Sequence, residues 1–224
     1  MEIKKMITIR PRNILLNTSG VIVHQVNCLG VMGSGIAKSI KQMYPPAFKQ
    51  YEAMCGTVPD PRKFSLLGQV QFVNVSEHNG KALMIANMFS QLDTSSGSRE
   101  TEYGAMYQGL KTIELKLRGL NIPLYIPYLI GCGFGGGDWN IVVEIIKTVF
   151  ENSHTEVMIC AFNPSAYEVA NVQILPIVKK KFTVEEFKLW LETPQQTLQD
   201  MCPIDLIHLG QIEQLKTLAK SKKS

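Results

Sequence analysis

The sequence predicts an α/β fold, a mixed sheet sandwiched by helices with a small α-helical appendage at the C-terminal end. Three observations point there. Strand-like and helix-like runs alternate over residues 3–163, which calls for helices on both faces of a sheet. Two glycine-rich turns each follow an apolar strand-like run and open a helix-like one. Beyond residue 164 the alternation stops, and only short helix signals follow.

Taken in order, "IKKMITI" (3–9) and "VIVHQV" (21–26) read as strands. "IAKSIKQMYPPAFKQYEAMC" reads as a helix interrupted near Pro45-Pro46, because proline lacks the amide a helix interior needs. "GQVQFVNVSEHNGKALMIANMF" reads as two strands joined at Asn79-Gly80, a hairpin dipeptide. "TEYGAMYQGLKTIELKLRGL" has apolar residues at helical spacing, with Gly119 placed to end it. "IPLYIPYLI" is a buried-strand candidate, "DWNIVVEIIKTVFEN" a helix, and "EVMICAF" a short strand. The boundaries follow as 1–163 for the main domain, 164–181 for a connector with two prolines and Lys179-Lys180-Lys181, and 182–224 for a helical segment. In that segment Thr183 and Glu186 form a capping box, Thr193-Pro194 pairs an N-cap with a first-turn proline, and Pro203 is placed likewise. The last residues, "LAKSKKS", are expected to fray.

At 224 residues, with 45% hydrophobic and 19% charged residues, the chain can bury a substantial core. A net charge of +4 is mild and makes nucleic acid an unlikely partner, since clustering on one face is what that requires. The N-terminus has no apolar run of the secretory kind, and no stretch is apolar enough for a membrane span. Five cysteines, odd in number and without a C-x-x-C pair, fit reduced thiols in a cytoplasmic protein.

The first glycine turn holds Gly30, Gly33 and Gly35; the second, "IGCGFGGGDW" (130–139), holds Gly131, Gly133, Gly135, Gly136 and Gly137. At a strand-to-helix junction the first helical amides lack acceptors and the helix dipole favours an anion. Glycine lets consecutive amides turn inward as an anion nest. One such turn is compatible with a plain bend; two at one end of a sheet suit a diphosphate. A Walker loop is excluded because Ile36-Ala37 separates Gly35 from Lys38-Ser39. Gly131-x-Gly133-x-x-Gly136 matches the dinucleotide pattern, but the next strand ends in Phe162-Asn163 where an acidic residue belongs, so a Rossmann dehydrogenase is not expected.

Together, "VHQVNCLGVMGSGIA", "YPPAFKQY", "NMFSQ", "TEYGAMYQGL" and "IPYLIGCGFGGGDW" resemble a macrodomain, in the branch that includes ADP-ribose-1″-phosphate phosphatases and terminal ADP-ribose glycohydrolases. The resemblance covers residues 3–163 and implies ADP-ribose in a cleft at the strand ends; no cofactor is expected, and no metal, since His24 and Cys28 alone fall short of the clustering a metal site requires. By it, Gly33, Ser34, Gly35 and Ile36 face the phosphate and distal ribose. Gly131, Cys132, Gly133, Phe134 and Gly135 cradle the diphosphate, with Phe134 against the distal sugar. Arg12-Asn13-Ile14 stands where many members have Gly-Asp-Ile, so Asn13, beside Ile14, meets adenine without a charge. Gln91 and Gly135 stand where glycohydrolases of this branch have a lysine and an aspartate, which argues against a lysyl-sugar intermediate.

For chemistry, His24 and Asp138 are the titratable residues nearest the turns in sequence, and Asn27 matches a position that touches the distal ribose. His24 reads equally as a proton carrier or as a bonded core histidine, and Asp138 as a catalyst or a helix cap. A thiol phosphatase on Cys28 or Cys132 is excluded, since no arginine follows either within ten residues. Ser90, Ser95, Ser96 and Ser98 with Gly97 read as an ordinary loop. "WLETPQQTLQDMCPIDLIHLG" (190–210) is similar to the toxin-binding segment of antitoxins of the Xre/MbcA/ParS group, and reads equally as a small helical cap. Two functions follow as expectations: hydrolysis of ADP-ribose-1″-phosphate or of ADP-ribosyl esters on a backbone-amide cradle, or non-catalytic binding of ADP-ribose with a protein partner on 182–224.

Overall fold

The computed structural model describes residues 7–59, 63–78, 80–94 and 99–221. Contacts divide the chain into two units, Ile14–Cys160 with the segment up to Ile9, and Ala161–Ser224 with Arg10–Asn13.

The sheet has strands β1 (Ile7–Pro11), β2 (Gly20–Asn27), β3 (Val70–His78), β4 (Lys81–Gln91), β5 (Leu124–Pro127) and β6 (Val157–Ala161), in the order β1-β6-β5-β2-β4-β3. β2 runs parallel to both neighbours, with Val21 opposite Met84 of β4 and Leu124 of β5. β5 and β6 are parallel, β3 and β4 antiparallel, so the sheet is mixed as the alternation predicts. Every β2 residue is buried except Gln25, the signature of a parallel strand covered on both faces.

The covering helices are α1 (Gly35–Met43), α2 (Pro45–Thr57), α3 (Tyr103–Leu117) and α4 (Trp139–Phe150). Side chains alternate between faces with the period of two that a strand dictates. Val21, Val23, Ala86 and Met88 pack with Leu110 and Ile113 of α3 and Val142 and Ile146 of α4. Ile22 and Ile85 pack with Ile40 of α1 and Ala47 of α2, and Val26 and Phe89 continue that layer over Tyr51 and Cys55. α1 stops at Met43 and α2 starts on Pro45, where the double proline places the break. Gly119, with φ of +76°, lies just past the α3 C-cap.

β3 and β4 pair in the predicted hairpin; Asn79, Ser95, Ser96, Gly97, Ser98, residues 3–6 and 222–224 lie outside the described residues. Ser90 corrects the loop reading: it is fully buried within β4.

In the second unit, residues 164–181, expected as a connector, carry α5 (Ala166–Gln173) and α6 (Leu175–Val178). Ala166, Ala170, Ile174 and Val178 recur every four residues and are buried with Phe187, Trp190, Leu206 and Leu215. That apolar stripe outweighs the proline and lysine signals. α7 (Val184–Glu192) has the predicted capping box: the Glu186 amide donates to Thr183 Oγ1 at 3.2 Å and the Thr183 amide to Glu186 Oε2 at 2.7 Å. Pro203 opens α8 (Pro203–His208). After Pro194 only a 3-10 turn forms over Gln196–Leu198, because Gln199 and Asp200 take left-handed φ of 55° and 64°. α9 (Ile212–Ser221) runs helical through residues expected to fray, holding Leu215 and Ala219 in the core. Among the described residues no helix is long and apolar enough to cross a membrane.

Candidate functional site

The two glycine loops leave the sheet at one end, since β2 and β5 are adjacent and parallel. From there they part. The β2 connection runs to α1 and α2 on one face, the β5 connection to α4 on the other. Such divergence of the connections from neighbouring strands marks the place, beyond the strands' carboxyl ends, where open α/β sheets bind ligands.

The first loop is folded around Asn27. Its Oδ1 accepts from the Leu29 amide at 3.0 Å and the Val31 amide at 3.2 Å, while its Nδ2 donates to the Val31 carbonyl at 2.6 Å. The buried Tyr51 hydroxyl of α2 donates to Asn27 Oδ1 at 2.7 Å and accepts from the Gly30 amide at 3.1 Å. Those bonds use up the amides before residue 32. Beyond it, Gly33, Ser34 and Gly35 are exposed, and Ser34 takes the N-cap position of α1 without a side-chain bond to the helix. Among the described residues the amides of Gly33, Ser34, Gly35 and Ile36 meet no backbone acceptor. They are the free donors a helix start offers to an anion.

The second loop is pinned from below. Thr101 Oγ1 donates to the Gly131 carbonyl at 2.7 Å, and the amides of Glu100 and Thr101 donate to the Gly135 carbonyl at 3.0 and 2.9 Å. Gln25 Nε2 holds Thr101 Oγ1 at 3.1 Å and the Ser90 carbonyl at 2.9 Å. With the carbonyls of Gly131, Gly133 and Gly135 engaged by protein amides or by Thr101, the opposite edge of the loop presents N–H groups. Among the described residues the amides of Gly131, Gly133, Phe134 and Gly135 find no backbone acceptor. Glycine is required here by space as well as by φ. A Cβ on Gly131, whose φ is +75°, would sit 2.9 Å from Met106 Cε, and one on Gly135 would sit 2.7 Å from the Gly131 carbonyl oxygen. Gly133 is different: nothing lies within 4 Å of its Cβ position.

The remaining sequence candidates divide. Phe134 is 82% exposed on the loop. Ile36 is half-buried at the start of α1, and Cys132 is half-buried, its thiol pushed up to about 11 first by burial and then by the Asp138 carboxylate. Cys28 is fully buried with its thiol pushed up to about 12 by burial, so both stay protonated and non-nucleophilic near neutrality. Asp138 is exposed as the N-cap of α4, one oxygen accepting from the Asn140 amide at 2.8 Å. Asn13 is half-buried; Ile14 is a core residue, 4% exposed.

His24 requires a correction. It is fully buried, its Nε2 2.7 Å from Asn87 Oδ1, on the face that packs with α2. Burial lowers it to about 4, and a neutral, enclosed imidazole cannot exchange protons with a ligand beyond the strand ends. Asn27 is likewise committed as the brace of the first loop. Sequence reasoning missed Gln25, Tyr51, Thr101 and Tyr103, the side chains that shape the loops. The Tyr103 hydroxyl accepts from the Asp138 amide at 2.8 Å, at the end of the second loop.

A family model described as Macro domain matches residues 23–146. A "DNA ADP-ribosyl glycohydrolase" of Mycobacterium tuberculosis is 30% identical over 146 residues, covering 65% of this chain and 39% of that protein. The chain thus spans about two fifths of the length of these curated relatives. An "ADP-ribose 1″-phosphate phosphatase" of Aspergillus clavatus is 36% identical over 74 residues, covering 29% of this chain and 36% of that one. Among solved structures, the macrodomain of Mycobacterium tuberculosis DarG superposes with a TM-score of 0.57 at 27% identity, covering 71% of this chain and 98% of that one.

Proposed function

Because the chain belongs to the macrodomain family, we propose that it binds ADP-ribose across its two glycine loops and hydrolyses an ADP-ribose derivative, either ADP-ribose 1″-phosphate or an ADP-ribosyl ester. The observation that carries this reading is the parting of two amide-lined loops from adjacent parallel strands. The second loop holds the diphosphate through Gly131, Cys132, Gly133, Phe134 and Gly135. The first, through Gly33, Ser34, Gly35 and Ile36, follows the phosphate and distal ribose, and Asn13 meets adenine.

In hydrolysis the oxygen of water bonds to phosphorus or to the ester carbonyl, and the bond to the ribose oxygen breaks. The ribose hydroxyl ends with a proton that water has lost. Amides preorganised around the developing charge stabilise that step without a strong base. Asp138 is the candidate proton acceptor, being the exposed carboxylate at the second loop. Gln91 stands where a lysyl-sugar route needs an amine, and its Nε2 donates to the Asp93 carbonyl at 2.6 Å. The two curated relatives carry names of both reaction classes, a glycohydrolase and a phosphatase.

The test is a thermal melt with ADP-ribose, followed by product release from ADP-ribose 1″-phosphate and from an ADP-ribosylated carboxylate peptide. A ligand-induced rise in Tm with release from one substrate supports the reading. No rise and no calorimetric heat at millimolar ADP-ribose ends it. A second reading is favoured by the second unit, which has its own core and exposes Val184 and Leu189. In it the chain binds ADP-ribose without turnover, in the cytoplasm, and engages a protein partner through 182–224. Binding without release from either substrate selects it.

A further inference from the structure

Phe162 and His208 enter none of the roles assigned so far, yet their rings stack, with centroids 5.3 Å apart and planes at 22°. Phe162 is the residue after β6 and is 48% exposed; His208 closes α8 and is half-buried. The Asn163 amide donates to His208 Nδ1 at 3.0 Å, and Asn163 Oδ1 accepts from the Ser165 amide at 2.9 Å. The chain on the far side of Phe162 is therefore fixed as well as its ring. The bond from Asn163 needs a lone pair on Nδ1 and so a neutral imidazole. Burial lowers the His208 pKa in that direction, against the smaller effect of Asp205.

Strand order says what such a ring would meet. β6 is parallel to β5, and β5 to β2, so Phe162 emerges at the end of the sheet that carries both glycine loops. The Arg12 amide donates to the Ala161 carbonyl at 2.9 Å, so Asn13 leaves β1 beside Phe162. Ile14 and Cys160, the neighbours in sequence of these two, pack in one cluster with Ile36 of the first loop. Across the sheet the first loop follows β2, the second follows β5, and β6 and β1 come next. A ligand with its diphosphate on the second loop and its distal ribose toward β2 sends its other half the opposite way, over β6 and β1, at about 5 Å per strand. In ADP-ribose that half ends in a planar base. We infer that His208 is a positioning residue for base recognition: its ring backs Phe162 and its Nδ1 holds Asn163, so that the exposed part of the Phe162 ring stands as a stacking platform for the base. This rests on the ADP-ribose reading. It gives α8 of the helical segment a part in choosing base-bearing ligands over a bare ribose diphosphate.

The experiment is calorimetric titration of the full chain with ADP-ribose and with ribose 5-diphosphate, which lacks the base. The proteins are wild type, Phe162→Ala, His208→Asn and His208→Phe. Wild type should favour ADP-ribose by about tenfold or more, the size of a base–aromatic stack. Phe162→Ala should lose most of that preference. His208→Asn keeps an acceptor for the Asn163 amide but not the ring, and should lower the preference about fivefold. His208→Phe keeps the ring and should retain more of it than His208→Asn. Ribose 5-diphosphate should bind all four proteins alike, a result that a general loosening of the fold would not give. A preference absent from wild type, or unchanged in Phe162→Ala or His208→Asn, overturns the inference while leaving the ADP-ribose reading intact, as does an equal loss for both ligands. No binding of ADP-ribose to wild type overturns both.

Discussion

The Thr101 hydroxyl donates to the Gly131 carbonyl at 2.7 Å, and Gln25 holds the same hydroxyl from below at 3.1 Å. This pair decides which way the second loop faces, because a carbonyl fixed toward Thr101 leaves the neighbouring amides pointing out. Thr101→Val keeps the volume and removes the donor. It removes one partner from each side: the Gly131 carbonyl keeps only the Gly137 amide and Gln25 Nε2 only the Ser90 carbonyl, at a cost of about 1–2 kcal/mol. We expect Tm to fall by about 2–6 °C and ADP-ribose affinity to fall by about tenfold or more. Calorimetry and thermal melts on the variant check both.

Gly133 and Gly135 separate the two jobs of the second loop. A Cβ on Gly135 meets the Gly131 carbonyl oxygen at 2.7 Å, and Thr101 Oγ1 as well, so Gly135→Ala should destabilise the fold by about 1–3 kcal/mol. Gly133 has open space at its Cβ position, so Gly133→Leu should fold with a near-normal Tm. Its side chain then occupies the room a diphosphate needs, and the ADP-ribose-induced rise in Tm should vanish. A melt with and without ligand reads out both variants.

Tyr51→Phe addresses the first loop. The hydroxyl serves Asn27 and the Gly30 amide together, inside a fully buried setting. Its loss orphans buried polar groups and should cost about 1–3 kcal/mol. Amide hydrogen exchange should rise at Leu29, Gly30 and Val31 ahead of the sheet, showing that the loop loosens before the core does.

How much of this was legible in the sequence follows from the range of each interaction. The turn from β2 into α1 and that from β5 into α4 could be read, because apolar strand, glycines and helix are contiguous. Asp138 as a cap was one of two readings, and the structure gives it that role. The braces were not legible, since Gln25 lies 76 residues from Thr101 and Tyr51 lies 24 from Asn27. No local pattern marks such partners. His24 was ambiguous because a strand with both faces buried does not show by alternation which side chain meets solvent. The helices at 166–178 were masked by Pro176 and three lysines, while the Ala166, Ala170, Ile174 stripe only shows its meaning once Phe187 and Leu215 are packed on it.

Asp138→Asn separates capping from catalysis. Asparagine keeps the oxygen that accepts from the Asn140 amide, so α4 and the Tm should be nearly unchanged. If the carboxylate takes the proton from water, product release should drop by about 100-fold or more with ADP-ribose affinity retained. A release rate equal to wild type assigns the residue to capping alone and leaves the amide cradle as the whole catalyst.

His24 gives the chain a pH dependence of known sign. Burial lowers its pKa from 6.5 to about 4, with the Asn87 bond acting in the opposite direction as the smaller cause. Between those values the unfolded chain binds a proton that the native chain does not. Stability from this group is therefore complete above pH 6.5 and is lost as pH falls toward 4, by up to about 3 kcal/mol. His24→Gln keeps a donor toward Asn87 without a titrating ring. Carboxylates such as Glu114, held below its usual range first by Arg118 and then by Lys111, add a slope of the same sign in both proteins, so it cancels in the comparison. Denaturant melts at pH 7 and pH 4.5 should show wild type losing more stability than the variant. Equal losses would mean that the imidazole is protonated, or open to water, in the native state.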